Sequence, residues 1–158
     1  MNNSTPSKDV AVPGLLRPPI VLLAVIALGV VLNLIWPFRF IPSALVLAGP
    51  VVVFAAVLLF LLSLREFRSH GTSVRGTERT TMVVRTGPYR FSRNPIYLAF
   101  VLFILGLSLW LNDLWLLVAL AVFAAFISIM IIPREERFLE RNFQPQYSEY
   151  KAAVRRWL

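Results

Sequence analysis

No cysteine occurs in this chain of 158 residues, and histidine occurs once, as His70. Without thiols there is no disulfide, no thiolate metal site and no cysteine nucleophile. Acid is also scarce: eight Asp and Glu stand against sixteen Lys and Arg, a formal net charge of +8. The most telling absence is of charge over long distances. Residues 20–36, 42–64, 95–111 and 114–132 contain no Lys, Arg, Asp or Glu, over 17, 23, 17 and 19 residues. A helix of about 20 apolar residues crosses a hydrocarbon core. With 58% hydrophobic residues against about 45–50% in soluble domains, the composition excludes an ordinary soluble domain. It predicts an all-α, polytopic membrane protein with about four transmembrane helices at those four runs.

The first run follows Lys8 and Arg17 as a signal peptide would, but it leads into Trp36-Pro37-Phe38 rather than a small-residue cleavage site. A retained first helix is the expectation. Basic residues then set the topology. Lys8 and Arg17 precede the first run, and only Arg39 separates the first from the second. Seven arginines lie between the second and third, none lies between the third and fourth, and six Lys and Arg follow the fourth. The positive-inside rule places both termini and the 65–94 loop in the cytoplasm. The positive charge fits anionic lipid heads better than nucleic acid, because the basic residues hug span ends rather than forming a separate domain.

Residues 1–17 read as a disordered cytoplasmic tail, and 18–158 as a single membrane domain. Pro18-Pro19 suit the first turn of a helix. Residues 37–41 form a short turn, and Gly49-Pro50 predict a kink inside the second run. Asn112-Asp113 force the last two spans into a hairpin, and Pro133 opens a cytoplasmic C-terminal helix. Two water-facing units remain, 65–94 and 133–158, on the same side. The first holds seven arginines and closes on Thr86-Gly87-Pro88-Tyr89-Arg90-Phe91-Ser92-Arg93-Asn94-Pro95-Ile96-Tyr97. A linker needs none of this, so the cluster points to a membrane-surface site for a charged, partly aromatic ligand.

In the second unit, Glu135, Phe138, Leu139, Asn142 and Phe143 recur at helical spacing on one face, with Glu136, Arg137, Glu140 and Arg141 on the other. An acid on an apolar face near a bilayer is costly unless paired or liganded. Glu135 therefore has two readings: an ion pair or first-turn dipole contact, or a seat for a cationic group of a ligand. Glu136 reads as solvated or paired with the loop. His70 reads as an exposed loop residue with no catalytic role.

The ordered set from Thr86 to Tyr97, a helical hairpin, then Glu135-Glu136-Arg137-Phe138-Leu139, Phe143, Tyr147, Tyr150, Val154 and Arg156-Trp157 resembles the isoprenylcysteine carboxyl methyltransferase and phospholipid methyltransferase family. The similarity covers roughly residues 71–158. The resemblance implies an integral membrane enzyme using S-adenosylmethionine (SAM) at the cytoplasmic interface. It implies cofactor contacts from Thr81, Met82, Val83, Val84, Gly87, Tyr89, Asn94, Pro95, Ile96, Tyr97 and Glu135. Two departures are visible. Asn94 stands where many members have His, so that position has an amide in place of a base. Gln144-Pro145 stand where a glycine is common.

Methyl transfer from a sulfonium requires alignment, close approach and exclusion of water more than covalent help. Tyr89 and Tyr97 offer aromatic faces to a cation, with an interfacial aromatic belt as the plainer reading. Arg93 and Glu135 are assigned to the reaction centre, Arg93 toward the cofactor carboxylate or an anionic acceptor. Arg90 and Arg134 are assigned to the acceptor. For each arginine, snorkelling to lipid phosphate is the competing role. The expected partners are the bilayer and a lipidic or small hydrophobic acceptor, with no metal and no nucleic acid. An NADPH-dependent reductase of sterol-reductase type and a non-catalytic lipid-binding protein of the same fold stay open as alternatives.

Overall fold

The computed structural model describes residues 17–39, 42–69 and 83–158. The expected disordered tail, apart from Arg17, lies outside them, as do His70, Thr81 and Met82. The described residues are helical, with no strand among them: α1 Pro18–Ile35, a single turn α2 Ser43–Val46, α3 Ala48–Ser69, α4 Pro95–Leu111, α5 Leu114–Phe126, α6 Ile132–Asn142 and α7 Gln146–Ala153. The polytopic helical architecture expected from the charge-free runs is the one observed.

Local chemistry explains the boundaries. Pro18 and Pro19 occupy the first turn of α1, where a missing N–H leaves no bond unmade. Gly49-Pro50 do not kink a long second span. The helix pauses at Leu47 and restarts at Ala48, so Pro50 falls in a first turn with no intrahelical acceptor to lose. Gly49 has a packing role, since a Cβ there would lie 2.4 Å from the Trp110 backbone N. The expected hairpin is present. Asn112 adopts a left-handed conformation (φ 50°), and Asp113 Oδ1 caps α5 by accepting from the N–H groups of Trp115 (2.8 Å) and Leu116 (3.2 Å).

Pro133 stands in the first turn of α6 as expected, but that helix is not detached from α5. A π-helical turn at Ile127–Ile131 joins α5 to α6, so Leu114–Asn142 run as one helical rod of 29 residues. At 1.5 Å per residue that is about 43 Å, longer than a hydrocarbon core of about 30 Å. The charged end of the rod therefore projects beyond the apolar zone. With Pro18–Ile35 and Ala48–Ser69 it makes three helices long and apolar enough to cross a membrane, and Pro95–Leu111 is a shorter apolar helix.

The helices form an arc: α3 packs on α4, α4 on α5, and α5 on α1. The core is built from Leu22, Tyr97, Ile104, Phe123, Ile127, Ile131 and Ile132. At one end of the arc, the end of α3, the start of α4, α6, α7 and residues 83–94 converge.

Candidate functional site

Residues 83–94 are braced from three sides. Arg85 donates to the carbonyl of Gln146, and its guanidinium lies 3.5 Å from Glu149 and 6.0 Å from the centre of the Tyr150 ring. Thr86 Oγ1 donates to Glu66 Oε2 at 2.6 Å, tying the segment to the end of α3. Gly87 has φ +58°, and a Cβ there would meet Glu66 Cγ at 2.6 Å. Only glycine suits both the left-handed backbone and that close approach. A short 3₁₀ turn, Gly87–Arg90, then delivers Tyr89 inward.

Tyr89 is buried, its ring 5.6 Å from that of Phe67, and its carbonyl accepts from Tyr150 Oη at 2.7 Å. Among the described residues its own hydroxyl is buried without a hydrogen-bond partner, an uncommon state for a buried phenol. Burial pushes this phenol above the usual tyrosine range, with Tyr150, Glu135 and Glu66 acting electrostatically in the same direction. One turn into α4, buried Tyr97 donates its Oη to Glu135 Oε1 at 2.6 Å. Glu135 is among the exposed residues of α6, and its carboxylate, a buried phenol bonded to it and a second phenol with no partner among the described residues share one corner.

Glu136 carries the larger surprise. It is 6% exposed, and its carboxylate receives Arg156 through two bonds, Nε to Oε1 at 3.1 Å and Nη2 to Oε2 at 2.7 Å. Arg93 Nη1 lies 3.1 Å from Oε1, at ion-pair distance without hydrogen-bond alignment. The bond to Glu136 raises the affinity of the Arg156 guanidinium for its proton. The buried stripe of α6 runs through Ile132 and Glu136, while Glu135 and Asn142 are exposed. The expected apolar face is therefore rotated by one residue. The solvated reading of Glu136 fails and the loop-paired reading holds, because buried Arg93 accompanies the acid inward and half-exposed Arg156 closes over it, offsetting its desolvation.

The C-terminal segment straps this arrangement down. Arg93 N–H donates to the Arg155 carbonyl (3.0 Å), and Ser92 Oγ and Asn94 Nδ2 donate to that of Arg156 (3.3 and 3.0 Å). Trp157 packs against the core. The Asn94 amide thus acts as a structural donor to the strap.

Of the residues expected at the site, Val84, Tyr89, Pro95 and Tyr97 are buried there, Val83, Gly87 and Ile96 are half-buried, and Arg93 and Asn94 face the strap. Arg90 and Arg134 are exposed and make no side-chain hydrogen bond or ion pair among the described residues. Glu66, Phe67 and Arg156 complete the corner and were not anticipated. Pairing across this distance leaves no periodic trace in a sequence. No group of three or more His, Asp or Glu with metal-binding geometry occurs among the described residues.

A membrane-embedded helical arc with an acid–phenol corner at its charged end is the class of protein defined here. The family model for phospholipid methyltransferase matches residues 44–146, and the chain belongs to that family. It is 38% identical over 63 residues to an uncharacterised protein of Haemophilus influenzae, covering 40% of this chain and all of that one. It is 33% identical over 72 residues to the nickel-cobalt-cadmium resistance protein NccN of Alcaligenes xylosoxydans xylosoxydans, and 35% identical over 77 residues to the cobalt-zinc-cadmium resistance protein CzcN of Cupriavidus metallidurans. Those matches cover 46% and 49% of this chain but only 33% and 35% of the relatives. No solved structure matches.

Proposed function

We propose that this protein is a SAM-dependent methyltransferase that binds its cofactor at the charged end of the arc and methylates a hydrophobic acceptor entering from the bilayer. The observation that carries the reading is the Tyr97–Glu135 pair at 2.6 Å beside a Tyr89 hydroxyl that has no partner among the described residues. A sulfonium amino-acid nucleoside needs a carboxylate for its cationic groups, a buried polar partner and aromatic faces, and these residues fit that need.

Glu135 would receive a cationic group, with Tyr97 fixing its carboxylate. Tyr89 would offer its hydroxyl and ring, with Val84 and Ile96 as apolar walls. When bound, the cofactor supplies an electrophilic methyl group. The chain's own contribution is alignment and exclusion of water, and the strap through Arg93, Asn94, Glu136 and Arg156 positions the corner. Arg93 takes a positioning role in this reading. Arg90 and Arg134, both exposed, would meet an anionic acceptor or lipid phosphate. The positive-inside rule puts this end in the cytoplasm.

Titration calorimetry of the purified protein with S-adenosylhomocysteine, with NADPH in parallel, tests the reading. Micromolar binding of the first, lost in Glu135→Ala, is expected. Binding of NADPH alone would transfer the case to a reductase.

A further inference from the structure

The rod that carries the two adjacent glutamates holds one residue more than an unbroken α-helix would. At the π-helical turn Ile127–Ile131 the Ile132 N–H donates to the Ile127 carbonyl, five residues back, where an α-helix bonds four residues back. The residue that follows explains the widening. Pro133 has no N–H, and in an unbroken helix its ring would strike the carbonyl four residues behind it, that of Ile129. A wider turn relieves that contact within an apolar segment. Burial records the extra residue. Consecutive Ile131 and Ile132 are both fully buried, while Ile129 is 71% exposed.

The consequence is a change of phase in α6. In an unbroken helix Glu136, nine residues beyond buried Ile127, would lie about 2.5 turns on and point to the opposite side. Arg134, about 1.9 turns on, would hold the inward line. With one residue absorbed, Glu135 takes that line, and Glu136 comes to within about a quarter turn of Ile127. The contacts agree. Tyr97, in the same core cluster as Ile127, bonds Glu135. Glu136 is buried, and Arg134 and Arg137 are exposed.

We propose that Pro133 and the extra residue of this turn are the register element of the site, and that they set the sign of the charge it presents. An unbroken rod would offer Arg134 to the Tyr97 side and leave Arg93 and Arg156 without their acid. With the turn in place the corner offers a carboxylate and so selects a cationic ligand over an anionic one. Pro133 is thus a positioning residue, acting through the phase of α6. This goes beyond the methyl-transfer reading and holds for any cationic ligand of the corner.

Thermal unfolding and S-adenosylhomocysteine titration of the full chain in detergent test it. Deletion of outward-facing Ile129 removes the extra residue and keeps the phase of α6. It also leaves Pro133 inside an unbroken helix, so this variant should melt well below wild type. Adding Pro133→Ala should restore both melting temperature and affinity. Insertion of one alanine after Ile129 turns α6 by about 100° more, bringing Glu136 toward Tyr97 and Arg137 against Arg93 and Arg156. The melting temperature should fall, and affinity should drop about tenfold, the scale of one lost charged contact. Arg137→Glu should recover part of both losses in the insertion variant, yet change little in the wild-type chain, where position 137 is exposed. A deletion variant that Pro133→Ala does not rescue would overturn the proposal, as would an insertion variant with wild-type melting and affinity. The expected melting pattern with no S-adenosylhomocysteine bound by any variant, wild type included, would uphold the register and remove the methyl-transfer reading alone.

Discussion

Glu136 and Arg156 meet through a two-pronged contact, with Nε 3.1 Å from Oε1 and Nη2 2.7 Å from Oε2, twenty residues apart in sequence. Their surroundings differ. The Glu136 side chain is 8% exposed and that of Arg156 39%, while Arg93, which faces the same carboxylate, is 10% exposed. Removing Glu136 therefore strands a buried arginine. Removing Arg156 leaves Glu136 with Arg93.

Glu136→Ala is accordingly expected to destabilise the fold by about 3 kcal/mol, the low end for breaking a buried pair. Arg156→Ala is expected to cost below about 1 kcal/mol, because its head is solvent-screened. Unfolding of the two variants in the same detergent reads the difference. Equal, small shifts would show that burial of the acid carries no energetic weight.

The neighbouring acid behaves differently. Glu135→Ala removes a carboxylate whose partner is the neutral Tyr97 phenol rather than a buried arginine, so stability should fall less than in Glu136→Ala while affinity for S-adenosylhomocysteine falls. A lost charged contact of about 1.5–3 kcal/mol corresponds to roughly tenfold to a hundredfold in Kd. Glu136→Ala, assayed at a temperature where it is folded, should lose much less. Comparable losses in the two folded variants would move the cation seat away from Glu135.

The contrast between these adjacent glutamates also marks what a sequence of this kind discloses. Spans are legible because missing charge is a local property, and the Asn112–Asp113 hairpin is legible because two residues leave one geometry. The phase of α6 was not. Its reading assumed that the best apolar stripe faces inward, but the inward position is held by an acid neutralised from residues far along the chain. Gly49 was read as a kink for a similar reason. Its role lies in Trp110, and nothing within its own helix signals that approach.

Gly87 offers a backbone test. Its φ of +58° costs a side-chain-bearing residue about 1–2 kcal/mol, and the added Cβ would sit 2.6 Å from Glu66 Cγ. Gly87→Ala should displace Glu66 and break its bond from Thr86. Thermal stability and S-adenosylhomocysteine binding should fall together. In the double variant with Glu66→Ala the clash is gone and the backbone cost remains, so an intermediate stability is expected. If Gly87→Ala alone is silent in both assays, the brace between α3 and the 83–94 segment has no functional weight.

Tyr89 separates folding from binding most cleanly. Its hydroxyl is buried without a partner among the described residues, so Tyr89→Phe deletes a group unsatisfied there and should leave stability unchanged or raise it by about 1 kcal/mol. Affinity for S-adenosylhomocysteine should nevertheless fall about fivefold, the equivalent of one hydrogen bond. Alkaline titration gives an independent check. Burial raises the proton affinity of Tyr89, Tyr147 and Tyr150 in the folded state. Their contribution is fully present below the unfolded tyrosine value of about 10 and is lost as pH rises above it toward the folded values. The melting temperature should therefore decline above about pH 10, and Tyr89→Phe should flatten that decline. A variant that melts lower at neutral pH and keeps full affinity would mean that the Tyr89 hydroxyl has a partner within the fold and none in the ligand.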